Sequence, residues 1–183
     1  MIPQHPDEPD FLESKSRAIR ALVNAERVAA SAFLVATLVL VLVQVASRYI
    51  FNAPFTWTEE LARFSLVWLT FISAGFVMAR RLHVTVDLVA AKLSKRGALI
   101  MDSFAMLVVL AVSGAMAWAG TLFAVGAARL NAPATQLPMS LVYSAAAIGF
   151  ALIFLHGVLN TYVNIRHPDQ VPDAMENLEK EAF

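Results

Sequence analysis

The sequence predicts an all-α integral membrane protein of four transmembrane helices, with an interfacial amphipathic segment after the second. Three observations predict it. The chain is 58% hydrophobic and only 15% charged over 183 residues, where a soluble domain averages about half and about a quarter. The apolar residues gather in four long runs, which is what a bilayer requires. Lys and Arg crowd the tails and the middle connection and nearly vacate the other two. Backbone groups in lipid must pair within their own segment, so these runs are helices. No alternating pattern of barrel-strand length is present.

The expected spans lie at about 28–47, 57–79, 99–125 and 138–165, within a single membrane domain over 1–183. Between Arg27 and Arg48 the run VAASAFLVATLVLVLVQVAS carries no charge; at 1.5 Å per residue it reaches about 30 Å, the thickness of the hydrocarbon core. A signal peptide is the rival, and Val45-Ala46-Ser47 resembles a cleavage site, but such a peptide has a short basic start and a shorter apolar core. A polar, mixed-charge tail precedes this run, so a retained span is expected. The second span holds FSLVWLTFISAGFVMA, with Arg63 near enough to its start to reach the interface. The third carries no charge from Ser103 to Ala128, and the fourth follows Pro138. Gly114, Gly120 and Gly126 are expected to admit close helix packing in the third.

Direction follows from the cations. Lys15, Arg17, Arg20 and Arg27 precede the first span, and Arg80, Arg81, Lys92, Lys95 and Arg96 lie between the second and third. Arg166 and Lys180 follow the fourth, whereas Arg48 and Arg129 alone border the other two connections. The positive-inside rule therefore places the 1–26 and 167–183 tails and the middle loop in the cytoplasm.

The segment from Ser47 to Arg96 is the most unusual. Asn52-Ala53-Pro54 ends the first helix; the triplet recurs at Asn131-Ala132-Pro133, weak evidence for duplication. Thr56 or Thr58 is expected to cap the second helix, with Glu59 and Glu60 in its first turn and Trp57 at headgroup level. Arg63 stands four residues after Glu59 and three after Glu60, so either acid could hold it. The bland reading makes these cap and snorkel residues. The sharper one makes Arg48, Trp57, Glu59, Glu60, Arg63 and Trp68 a docking or subunit surface, because a charge placed against lipid is costly. Beyond the second span, Arg80, Arg81, His83, Asp87, Lys92, Lys95 and Arg96 fit an amphipathic segment on the cytoplasmic interface. A His83–Asp87 proton relay is the less economical account. Asp102 is expected to pair with Arg80, Arg81 or Arg27, and His156 to be a hydrogen-bonded structural histidine.

Several functions are disfavoured. With no Cys there is no disulfide or thiolate metal site, and the four His show no zinc-enzyme spacing. Adjacent acids on a helix point about 100° apart, a poor arrangement for acid–base catalysis on one atom, so no enzyme, catalytic residue or metal is expected. Balanced charge, 14 basic against 14 acidic residues, gives no cue to nucleic acid. A self-assembling channel would need a polar stripe, and none is evident. A four-helix haem-binding electron-transfer subunit, ligated through His83 and His156, is the alternative reading.

The run Arg48-Tyr49-x-Phe51-Asn52-x-Pro54-x-x-Trp57-x-Glu59-Glu60-x-x-Arg63, then Val67-Trp68, then Arg80-x-x-His83-Val84-x-Val86-Asp87, resembles the small, DctQ-like membrane subunit of tripartite ATP-independent periplasmic (TRAP) transporters. Pro138 and Tyr143 at the start of the fourth helix fit as well. The resemblance implies a multi-pass accessory subunit of the bacterial inner membrane in secondary active transport, a symport in which a sodium gradient drives organic acid uptake. It implies two partners besides lipid: a large multi-spanning permease subunit, which would hold the substrate and sodium, and a periplasmic solute-binding protein. This chain would then brace the large subunit, contribute to the docking face, and carry no cofactor or substrate site of its own.

Overall fold

The computed structural model describes residues 16–80 and 95–166. Four helices are long and apolar enough to cross a membrane: α1 (Arg17–Tyr49), α2 (Thr56–Ala79), α3 (Lys95–Gly126) and α4 (Met139–Arg166). No strand is present among the described residues; one isolated bridge joins Asn131 to Pro138. The expected interfacial segment after α2 lies outside the described residues, as do Arg81, His83, Asp87 and Lys92. Lys95 and Arg96 open α3.

Each helix has a local reason to begin or end. Ser16 is extended and its hydroxyl accepts from Ile19 N–H at the start of α1. At 33 residues, α1 is about 50 Å long and outreaches the hydrocarbon core of about 30 Å. The expected threonine cap on α2 is not what forms. Phe55 is the N-cap, with no side-chain cap bond, and Thr58 Oγ1 donates backwards to Phe55 C=O at 2.7 Å. That carbonyl also receives Thr58 N–H, so the hydroxyl tightens the turn instead of satisfying an orphan donor.

The two Asn-Ala-Pro triplets do different work. Asn52 adopts a left-handed φ of 50°, a conformation Asn tolerates better than most residues, and Ser47 accepts from Ala53 and Phe55 N–H. In the α3–α4 loop the left-handed residue is Gln136, with φ 57°, and Ala132 N–H reaches Leu137 C=O at 2.8 Å. Both turns lie at the same end of the helices, called here the turn end; the opposite tail end carries Arg17, Arg20, Arg80 and Arg166.

The helices stand in a row, α1 on α2, α2 on α4 and α4 on α3. The central contact is close because glycine permits it. A Cβ on Gly149 would lie 2.6 Å from Phe71 Cβ and 2.8 Å from the Phe71 backbone oxygen; one on Gly75 would lie 2.9 Å from Leu152 Cβ. Gly120 meets the Ala147 backbone in the α3–α4 contact, whereas Gly126 has nothing within 4 Å of its would-be Cβ and takes no part in packing. On the outer sides of the row, Leu34, Leu38 and Leu42 of α1 and Phe104, Leu107, Trp118 and Leu122 of α3 are exposed, faces suited to lipid or another apolar surface.

Replacing Gly149 by Val should force α2 and α4 apart and cost about 1–3 kcal/mol, read as a lower midpoint of thermal unfolding in detergent. Gly126→Val should leave that midpoint unchanged.

Candidate functional site

The sequence leaves Arg63 between two acids, and the structure divides them. Glu59 Oε1 accepts from Arg63 Nη2 at 3.0 Å, while Glu59 Oε2 accepts from Gln44 Nε2 at 3.2 Å. The i, i+4 pair thus also fastens α2 to α1. Glu60, one residue and about 100° onward, faces the other way, towards the α3–α4 loop. Its carboxylate accepts from Ala134 N–H at 3.2 Å, from Thr135 N–H at 2.6 Å and from Thr135 Oγ1 at 2.7 Å. Charge-assisted bonds of this length are the strong kind. The acids therefore bind three neighbours: α1, Arg63 and the loop.

Around this knot the turn end is aromatic and cationic. Trp57 is exposed and stacks on Phe55 at 6.1 Å; Tyr49 and Phe51 are exposed beside them. Arg48 lies in the last turn of α1, where a cation suits the negative end of the helix dipole, and Arg129 ends the short helical turn after α3. Trp68 sits elsewhere, about three turns down α2, where its ring stacks on Phe33 of α1 at 5.8 Å.

At the tail end the structure brings together residues that spacing alone kept apart. His156 Nε2 and Glu26 Oε1 lie 2.8 Å apart, with both side chains at most 4% exposed. The structural histidine thus has its partner on α1, in a residue the sequence reading assigned to the tail. The only signal was position: Glu26 stands just before the uncharged run of a helix that starts well upstream of it. Asn160, one turn beyond His156, donates to Met78 C=O at 2.9 Å and closes the end of α2. Asp102 receives Asn164 Nδ2 at 3.4 Å; Arg81, one of the arginines expected for it, lies outside the described residues. Arg80 lies over the Phe76 ring, 5.5 Å from its centre.

Among the described residues this arrangement fastens helices and presents charge. Glu59 and Glu60 diverge, and His156 Nε2, one of the two nitrogens able to face a haem iron, is engaged by Glu26. Among the described residues no cluster of three or more His, Cys, Asp or Glu could hold a metal ion.

Two comparisons bear on this geometry. Residues 37–167 match the family model for the DctQ component of tripartite ATP-independent periplasmic transporters. A Haemophilus influenzae protein named as a TRAP transporter small permease protein is 35% identical over 63 residues, 34% of this chain and 39% of that protein.

If Glu60 holds the loop, a nitroxide attached at Gln136→Cys should be immobile in the parent chain and markedly more mobile with Glu60→Ala. Thr135→Ala should fall between them. Equal spectra would mean that the loop needs no clasp.

Proposed function

The chain belongs to the DctQ family of tripartite ATP-independent periplasmic transporter components, and we propose from that premise that it acts as the small accessory subunit of a sodium-driven, binding-protein-dependent importer of an organic acid. The observation that carries the reading is the family match across 37–167, which includes the turn-end knot, the whole of α2, α3 and α4 and part of α1.

The physical features support a bracing role. Secondary transporters place substrate at midplane sites formed by broken helices, and the four helices here are continuous. A carrier site is better supplied by a large permease subunit, which would hold both substrate and sodium. The apolar outer sides of the row offer surface for that subunit and for lipid. With the cation-rich tail end in the cytoplasm, the turn end faces the periplasm, where a solute-binding protein would arrive. Glu59 and Arg63 are more than half exposed, and with Arg48 and Trp57 they form the polar and aromatic surface offered for docking. Glu60 supports it from behind by fixing the loop.

A C-terminal tag on the chain, with membranes solubilised in mild detergent, should recover a larger polytopic protein in fixed stoichiometry. Recovery of the chain alone would remove the accessory-subunit reading. Within that complex, Arg63→Ala should reduce binding-protein-dependent uptake several-fold while expression and co-purification hold; unchanged uptake would remove Arg63 from the docking surface.

A further inference from the structure

Glu26 and His156 are unusual because of where they stand. Glu26 belongs to α1, yet its partner is on α4, beyond the intervening α2. Gly75 borders the pair: a Cβ there would crowd Leu152 Cβ at 2.9 Å and would lie in ordinary contact, 3.7 Å, with Glu26 Oε2, so the missing side chain lets α4 come close to α2 beside the carboxylate. Val23, Met78, Ala79 and Val163 are buried at the same end of the row.

Charge balance limits what such a pair can hold. With one proton between Glu26 Oε1 and His156 Nε2 the pair is neutral overall, as an ion pair or as acid and imidazole. With none it is a net anion, and with two a net cation, each costly in apolar surroundings. Glu26 Oε2 is buried and accepts no hydrogen bond among the described residues, so the site retains an oxygen on which a further proton can settle. A fully satisfied structural ion pair would leave no such atom.

We propose that Glu26 and His156 form a proton-binding site that latches α1 to α4 beside Gly75 of α2, and that a second proton releases the latch. The step is a simple protonation: one proton from solvent binds Glu26 Oε2, the imidazolium keeps its Nε2 proton, and the carboxylate that held α1 becomes a neutral acid beside a cation. Among the described residues other charged groups stand at this end of the helices. Arg20 and Arg27 lie on α1, Arg27 bonded to Asn24. Arg80 ends α2 and Arg166 ends α4. Asp102 on α3 is the one acid of this end facing α4 among the described residues, and it is bonded to Asn164. Releasing the latch lets α1, an end helix of the row, swing its tail end away from α4 while the turn end stays fastened by Gln44 and Ser47.

The chain has no cysteine, so spin labels can be placed cleanly. Labels at Ala21→Cys on α1 and Ile165→Cys on α4, in the full chain in lipid nanodiscs, report the tail-end separation by pulsed electron resonance. Near neutral pH a single short distance is expected. In mild acid a second, longer population should appear. The Glu26→Gln/His156→Gln double variant, whose amides bond without titrating, should keep the short distance at both pH values. A second pair, at Tyr49→Cys and Leu130→Cys, should not move at either pH. An unchanged parent distribution in acid would overturn the proposal even if the double variant fails to fold. So would an acid response that survives in the double variant, or one that appears equally at the turn end.

Discussion

Helices in lipid gain little from hiding apolar side chains against one another, since the solvent is equally apolar; association rests on close van der Waals contact and a few polar bonds. The α2–α4 contact meets this constraint most directly. Gly75 and Gly149 let the two helices approach until a single added carbon would collide with Leu152 or with the Phe71 backbone. Everything else is hung on that pair: α1 on the outer side of α2 and α3 on the outer side of α4. A row built outward from one tight contact leaves both end helices with broad apolar faces. A compact four-helix bundle would have buried much of them.

Polar fasteners do the remaining work, and they sit near the ends of the helices. At the turn end, Ser47, Gln44 and Glu59 join α1 to α2, and Glu60 ties α2 to the loop before α4. At the tail end, Glu26 joins α1 to α4 and Asn160 joins α4 to α2. The middle is held by ring contacts such as Phe33–Trp68 and Phe71–Phe150. This distribution follows the energetics of the bilayer. An interhelical hydrogen bond in membrane contributes about 0.6 kcal/mol on average, too little to offset stranding a charged group at mid-depth, so charged fasteners belong near water.

That distribution also explains what was legible in the sequence. The four helices could be read because an uncharged run of bilayer length is rare in a chain that stays in water, and the Arg48–Asp87 pattern carried the family. The order of helices in the row could not be read, because a span apolar on every side does not declare its neighbours. The partners of the polar residues were equally hidden. Spacing allowed Arg63 either acid, and only the fold shows that Glu60 is taken by Ala134 and Thr135, more than seventy residues away. Glycine counting misplaced the closest packing. It drew attention to α3, where Gly120 does meet α4 but Gly126 has nothing within 4 Å of its would-be Cβ, and it passed over the equally or more crowded Gly75, Gly149 and Gly157. Glu26 was missed for a related reason. An acid just before an uncharged run looks like the end of a soluble tail, yet α1 continues through it from Arg17 without a break.

The position of α1 shows why its polar residues have to lie where they do. As an end helix of the row it has one neighbour along most of its length, and Leu34, Leu38 and Leu42 face outward with nothing of this chain upon them. An apolar helix in an apolar solvent has no strong preference for one rotation over another. Its rotation is set only where a residue demands a particular partner, and two demands at opposite ends suffice: Gln44 must meet Glu59, and Glu26 must meet His156. Those two residues are 18 positions apart, five helical turns at 3.6 residues each, and so fall on the same face. That shared face is what turns two end contacts into one fixed orientation, and it leaves Leu34, Leu38 and Leu42 on the outward side of α1, an apolar stretch open to lipid or another apolar surface.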